Sequence, residues 1–262
     1  MAAGKLPLSA FVDAARGAAP ADLVFRNARV VNVLTGEIHE ETVGVAGDRI
    51  LGFGPYRAAD PANEIDLKGA FLAPAFWDAH IHVESTMTTP PVFARLAAVH
   101  GTAAVVTDPH EIANVRGAEG LEAFLDSAEG LPVELHVMLP SCVPATHLET
   151  AGADLPAAEL ARFYGRKNVL GLAEMMNVPG FLFGDPNVRA KVEEAASRGL
   201  PIDGHSPLLS GLDLNAYVGA GIRTDHECLG RDEATDKVRR GMSIWIREGT
   251  AAKNLDDLLP LV

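Results

Sequence analysis

Residues 76–85 read FWDAHIHVES, an apolar start from Phe76 followed by Asp78, His80, His82 and Glu84 at every second position. Side chains alternate between the two faces of a strand, so His80 and His82 share a face and their imidazoles can converge on one ion. On a half-exposed strand the same spacing also arises as two polar residues on a wet face. The pair therefore needs partners from elsewhere in the chain.

The texture on either side of this stretch indicates the architecture. From Asp22 to about Lys68, short apolar runs are separated by turn signals at Leu34-Thr35-Gly36 and Gly47-Asp48. This reads as a small β-rich, sandwich-like domain, residues 1–70, with a disordered or helical leader before Asp22. After Gly69, strands alternate with Ala-rich amphipathic segments, the signature of βα units around a parallel sheet. FLAPAFWDAHIHV, TAAVVTDPH, VELHVMLPSC, NVLGLAEMMN, LPIDGHSP, GIRTDHEC and GMSIWIRE read as successive strands. Helices are expected near 91–100, 117–127, 157–164, 187–197, 213–218 and 232–239, with a helical tail, AAKNLDDLLPLV. The second domain, residues 71–262, is thus an α/β arrangement of about seven βα units. A doubly wound sheet would carry a glycine-rich phosphate loop, and neither GxGxxG nor GxxxxGK[ST] occurs. A TIM-type (β/α) barrel, incomplete at seven units, collects its function at the C-terminal ends of its strands.

Those ends carry the polar residues: His80 and His82, Asp108 and His110, Ser141 and Cys142, Glu174, His205, Asp225-His226-Glu227 and Glu248. Four of the nine histidines fall at the ends of strands one, five and six. Neutral imidazole with a carboxylate suits zinc, iron or manganese, whereas calcium and magnesium call for oxygen ligands. Each residue also has a plainer reading. A lone His205 or His226 serves equally as a hydrogen-bonded core residue, and Glu174 as a strand terminus capping nearby amides. Met175 and Met176 read as packing residues, and Cys228, beside His226, as a small buried hydrophobe that could also touch a metal. Asp108-Pro109-His110-Glu111 is either a turn leading into a helix or a polar wall of the pocket, with Asp108 and His110 leaning to the pocket. The joint pattern carries the metal reading; no GxSxG elbow points to serine hydrolase chemistry.

Composition narrows the classes further. The chain has 262 residues, 48% hydrophobic and 22% charged, enough to bury a substantial core. A formal net charge of -13 offers no basic stripe for phosphates, so nucleic acid is not an expected partner. Cys142 and Cys228 form no CxxC pair, which fits a reducing cytoplasm. Lys5, Asp13 and Arg16 interrupt the Ala-rich start before a signal peptide can form, and no window approaches a membrane helix.

DAHIHVEST, GTAAVVTDPHEIANVRG, VMLPSCVPAT, GLAEMMNVPG, IDGHSPLLSG, LNAYVGAGIRTDHECL and RRGMSIWIREGTAAKNL together are similar to the bacterial adenine deaminases of the amidohydrolase superfamily, from about Asp22 onward. HxH alone would say only amidohydrolase; TDPHEIANV, MLPSCVPAT and AEMMNVPG are more specific. The resemblance implies hydrolysis of adenine to hypoxanthine and ammonia, in purine salvage or adenine catabolism, by a binuclear centre of Mn2+ or Fe2+, with Zn2+ as a further option. It implies that His80 and His82 bind one metal, that Glu174 bridges both, and that His205 and His226 bind the second. A hydroxide bridging the cations would attack C6, and a carboxylate would shuttle the proton. The resemblance takes that shuttle from an aspartate at the end of an eighth strand, and the chain ends at Val262 after the seventh unit. Glu227 or Asp108 are conceivable substitutes, while Glu84, His110 and Asp225 are candidates to touch the purine. Without that strand-eight aspartate the isolated chain is expected to be impaired or inactive, and because an open barrel would expose strand edges it is expected to associate as a homo-oligomer or with a complementing C-terminal polypeptide. The alternatives are an amidohydrolase acting on another cyclic amide or amidine, and a non-catalytic metal-binding fragment.

Overall fold

A computed structural model describes residues 6–146, 148–249 and 252–262. Met1 to Lys5 of the expected leader, and Ala251 at the head of the expected helical tail, lie outside the described residues. The chain divides into two units, Met1–Ala75 and Phe76–Val262.

In the first unit, α1 (Leu8–Ala15) precedes an antiparallel run of β1 (Leu23–Asn32), β2 (Glu37–Ala46) and β3 (Arg49–Phe53). β4 (Glu64–Asp66) and β5 (Phe71–Leu72) pair in parallel with β1. The turns signalled by Leu34-Thr35-Gly36 and Gly47-Asp48 join β1 to β2 and β2 to β3. Val24, Ala28, Val30 and Val43 are buried in its small cores. The run FLAPAFWDAHIHV is therefore not one strand. Phe71 and Leu72 belong to this sheet, and Pro74, which has no N–H to give a ladder, stands in the break before the next strand.

The second unit begins with β6 (Phe76–Ile81), α2 (Pro90–Ala98), β7 (Thr102–Thr107), α3 (His110–Ser127) and β8 (Glu134–Leu139). It continues through α4 (Ala157–Leu160), β9 (Val169–Met175), α5 (Val178–Phe183), α6 (Pro186–Ser197) and β10 (Ile202–Gly204). It closes with α7 (Gly211–Gly219), β11 (Thr224–Asp225), α8 (Arg231–Arg239), β12 (Ser243–Ile244) and α9 (Leu255–Leu258). β6 to β10 form a parallel sheet in which each strand lies beside its predecessor. Ile202 bridges to Ile222 just ahead of β11, and β11 pairs in parallel with β12. This is an incomplete TIM-type barrel, with β6 at one edge of the five-stranded sheet. The apolar strands and the helices meet in one core, in which Val105, Leu135, Leu139, Leu172 and Ile202 join Leu121, Leu125, Val192 and Leu214. Each such side chain contributes about 1.5–3 kcal/mol on burial.

Three local departures from the sequence reading matter for the site. α3 starts at His110 rather than near 117, and Gly117, at φ 58° and ψ -140°, breaks it into two parts. The DPHE segment is thus a helix start, which places His110 and Glu111 in its first turn. α5 arises where no helix was expected, because the Asn177 side chain accepts a hydrogen bond from the Gly180 amide at 2.8 Å. The run GMSIWIRE yields only the two-residue β12, which leaves Ile244, Trp245 and Ile246 with Phe76, Trp77 and Asp78 around a cleft of about 600 Å³. Phe76 and Trp77 on the edge strand are 71% and 62% exposed. No helix among the described residues is long and apolar enough to cross a membrane.

The close approach of β10 to β11 needs a glycine. A Cβ on Gly204 would collide with the Thr224 carbonyl oxygen, while the Gly204 amide donates to Thr224 Oγ1 at 3.0 Å. Gly204→Ala is expected to cost about 1–3 kcal/mol through overpacking. Urea unfolding would show this as a lowered midpoint; a wild-type midpoint would contradict the packing described.

Candidate metal centre

Glu174, near the end of β9, is the buried carboxylate around which the strand ends converge. His82, just past β6, sets Nε2 3.3 Å from Glu174 Oε1. His205, after β10, sets Nδ1 2.7 Å from Glu174 Oε2, and His226, after β11, sets Nε2 3.0 Å from the same oxygen. His80 joins through His82, their Nε2 atoms 3.1 Å apart, and its ring stacks on that of His226 with centroids 4.0 Å apart. The alternation that puts His80 and His82 on one face of an extended segment is what aims both inward.

Neighbouring groups fix these side chains. His82 Nδ1–H donates to the Asp108 carbonyl oxygen at 2.9 Å, so Nε2 is the nitrogen that faces Glu174 and the one left to bind a cation once its proton is displaced. Tyr217 Oη, fully buried, donates to the Met175 carbonyl at 2.7 Å and accepts from the His205 amide at 3.0 Å. Ser141 Oγ donates to the Glu174 carbonyl oxygen at 2.5 Å. His110 Nδ1 lies 2.9 Å from Asp108 Oδ2 and 3.5 Å from Glu174 Oε1.

The charges follow from burial and from Glu174. Burial and the adjacent His226 hold His80 at about 3, so it stays neutral. Burial disfavours charge on His82, but Glu174 and Asp108 outweigh it and raise that imidazole to about 10. His110 is raised to about 9, with Asp108 overcoming its burial. For Glu174, burial pushes upward, yet hydrogen bonds from His205, His226 and His82 hold its carboxyl well below the usual range. Burial raises Asp108.

The donor set fits divalent transition metals. His82, Asp108, His110 and Glu174 form one group with ligand atoms all within 4.8 Å of one another; His80, Glu174 and His226 form a second, and His205, His226 and Glu227 a third. Glu174 is common to the first two. These groups divide the residues differently from the assignment the resemblance implies, since His80 and His82 fall apart although their ring nitrogens are neighbours. Asp108 Oδ1 and His226 Nδ1 are buried without a hydrogen-bond partner. Imidazoles gathered on a shared carboxylate are the donors of an N/O cation site, their lone pairs becoming available when a cation displaces their protons.

Other expected residues lie elsewhere. Asp225, a candidate to touch the purine, is wholly buried, Oδ1 accepting from the Ser206 and Glu227 amides and Oδ2 from Lys237 and Cys228. Cys228 points at Asp225, 3.3 Å from Oδ2, and the group of Asp225, Cys228 and Glu233 is filled by the Lys237 ammonium. Glu227 is paired with Arg247 at 2.6 Å, its Oε1 3.7 Å from both His205 and His226. Glu84 accepts weakly from the Ile112 amide at 3.4 Å, and burial raises it to about 7. Glu111, which the sequence reading passed over, has Oε2 buried without a hydrogen-bond partner, 3.7 Å from His82 Nδ1. Its signal was its place beside His110 in the first turn of a helix that opens just past a strand end.

Comparison with known proteins gives the family and the fold. The amidohydrolase family model matches residues 71–255. The adenine deaminase of Desulfatibacillum aliphaticivorans is 49% identical over 251 residues, 96% of this chain and 44% of its own length. That of Dehalococcoides mccartyi is 51% identical over 255 residues, 97% of this chain and again 44% of its own length. The chain thus spans less than half the length of these curated relatives. Among solved structures, D-aminoacylase superposes with a TM-score of 0.55 at 15% identity, over 86% of this chain and 58% of its own. The N-isopropylammelide isopropylaminohydrolase of Burkholderia multivorans gives 0.53 at 20% identity, over 85% and 67%. At these identities the superpositions bear on the fold alone.

Cation uptake must displace the proton that Glu174 and Asp108 hold on His82. Because that proton is bound below about pH 10, affinity is expected to rise with pH, about tenfold per unit for each proton released. Chelator competition between about pH 6 and about pH 8 measures this. An affinity flat across that window would contradict the protonation described.

Proposed function

We infer that this chain, which belongs to the amidohydrolase family, carries the metal centre of an adenine-deaminase-type hydrolase that converts adenine and water to hypoxanthine and ammonia. The observation that carries the reading is Glu174, buried and met by imidazoles from three further strand ends at 2.7, 3.0 and 3.3 Å. Identity near one half to adenine deaminases along almost the whole chain supports the substrate class.

His80, His82, Glu174, His205 and His226 would hold two divalent cations; the donor set suits zinc, iron or manganese, and the resemblance favours Mn2+ or Fe2+. When bound, such a pair makes a water molecule acidic enough to act as a nucleophile near neutral pH. The chain's own groups do the rest. His82, tethered through Nδ1 to the Asp108 carbonyl, and His205, tethered through its amide to Tyr217, keep the donors aimed inward. Asp108 is the better of the two candidate carboxylates for moving a proton to the ring nitrogen and the departing amine. Its Oδ2 is steadied by His110, its Oδ1 has no partner, and burial raises its proton affinity. Glu227 is tied up by Arg247. Glu84, Glu111 and His110 lie on the Asp108 side and are suited to accept or donate hydrogen bonds at a purine edge.

Incubating the Mn2+- or Fe2+-loaded protein with adenine should release ammonia and hypoxanthine in equal amounts, weakly or not at all for this chain alone and measurably with a complementing C-terminal polypeptide. Asp108→Asn is expected to lower kcat by about 10²–10⁴, and Glu174→Gln to lower turnover and metal content together, by more than about a hundredfold in affinity. Metal bound without turnover even when the complementing polypeptide is present would remove the deaminase reading and leave the metal site; turnover only on other cyclic amides or amidines would replace the substrate.

A further inference from the structure

α8 contributes a lysine that the chemistry above does not use. Lys237 is 0% exposed, and its ammonium donates to the Ser206 carbonyl oxygen at 2.6 Å, to Asp225 Oδ2 at 2.5 Å and to Glu233 Oε1 at 2.6 Å. Three acceptors use all three of its donors. Ser206 follows His205 in the chain, and Asp225 precedes His226.

The same acceptors gather the two loops from the other side. Asp225 Oδ1 accepts from the Ser206 amide at 3.1 Å and from the Glu227 amide at 3.2 Å. Glu233 accepts from the Leu208 amide at 2.7 Å and the Leu229 amide at 3.0 Å. One buried cation and two carboxylates thus take up four amides and a carbonyl from the segments that follow β10 and β11. Those segments deliver His205 and His226, whose ring nitrogens both approach Glu174 Oε2. An apolar side chain of similar volume often stabilises a fold as well as a buried ion pair does. It could not hold a carbonyl of one loop and a carboxylate of the other at fixed separation.

We propose that Lys237 is a positioning residue that sets the spacing of His205 and His226 about Glu174 by tying Ser206 to Asp225. The proposal rests on reading those two imidazoles as ligands of the second cation.

The test is metal affinity in the full chain, not activity. Lys237→Met and Lys237→Arg are compared with the unaltered protein by chelator competition with Mn2+, with circular dichroism and urea unfolding as folding controls. Lys237→Arg keeps the charge that Asp225 and Glu233 require but places its donors in a planar fork, so it keeps the variant pair informative if Lys237→Met does not fold. The expected result is that one of two cation equivalents weakens by about tenfold or more while the other stays within about twofold. Leu160→Ala, a core change in α4, should lower stability and leave both equivalents unchanged. Folded Lys237 variants that bind both equivalents as the unaltered protein does, or that lose both in step with stability, would overturn the proposal. If the unaltered protein takes up no second equivalent, the reading of His205 and His226 as ligands fails, and the role of Lys237 falls with it.

Discussion

One carboxylate, Glu174, organises the second unit of this protein. It is 2% exposed, and an ionised group at that depth is tolerated only when surrounding groups return what water would have supplied. Here the return comes from His82, His205 and His226, each delivered by a different strand end. The parallel sheet makes this possible because every strand terminates at the same end of the structure. Residues far apart in the chain become neighbours around a single oxygen pair.

The supporting contacts show how such an arrangement is kept. Tyr217 bridges the Met175 carbonyl to the His205 amide, Ser141 holds the Glu174 carbonyl, and the Asp108 carbonyl fixes the orientation of the His82 ring. Lys191, buried on α6, donates to the Ser141 carbonyl at 2.9 Å, as Lys237 does to that of Ser206. Backbone oxygens behind the inward-facing side chains are thus restrained by side chains from the outer helices. Packing on the helical layer and geometry in the mouth are coupled by these few hydrogen bonds.

The residues that the sequence disclosed are those whose positions follow from periodicity. His80, His82, Glu174, His205 and His226 stand at the ends of apolar runs, and a parallel α/β pattern makes strand ends converge whatever their sequence separation. What stayed hidden depends on contacts with no local signature. Asp225 looked available until Lys237, on a later helix, was seen to engage it. Tyr217 reads as one more apolar helix residue, and only the fold gives its hydroxyl two backbone partners. The single strand expected over FLAPAFWDAHIHV failed because Phe71 and Leu72 found a partner in β1. Glu111 was overlooked since α3 begins earlier than its glycine at 117 suggested.

The proposed function requires that Glu174 and the imidazoles around it hold two cations. Anomalous diffraction from crystals of the Mn2+-loaded protein, recorded at the manganese edge, tests it most directly. The account predicts two peaks about 3.5–4 Å apart, both within bonding distance of the Glu174 carboxylate, with imidazole nitrogens of His80, His82, His205 and His226 completing their surroundings. A single peak, or peaks that leave Glu174 without a metal contact, would contradict it.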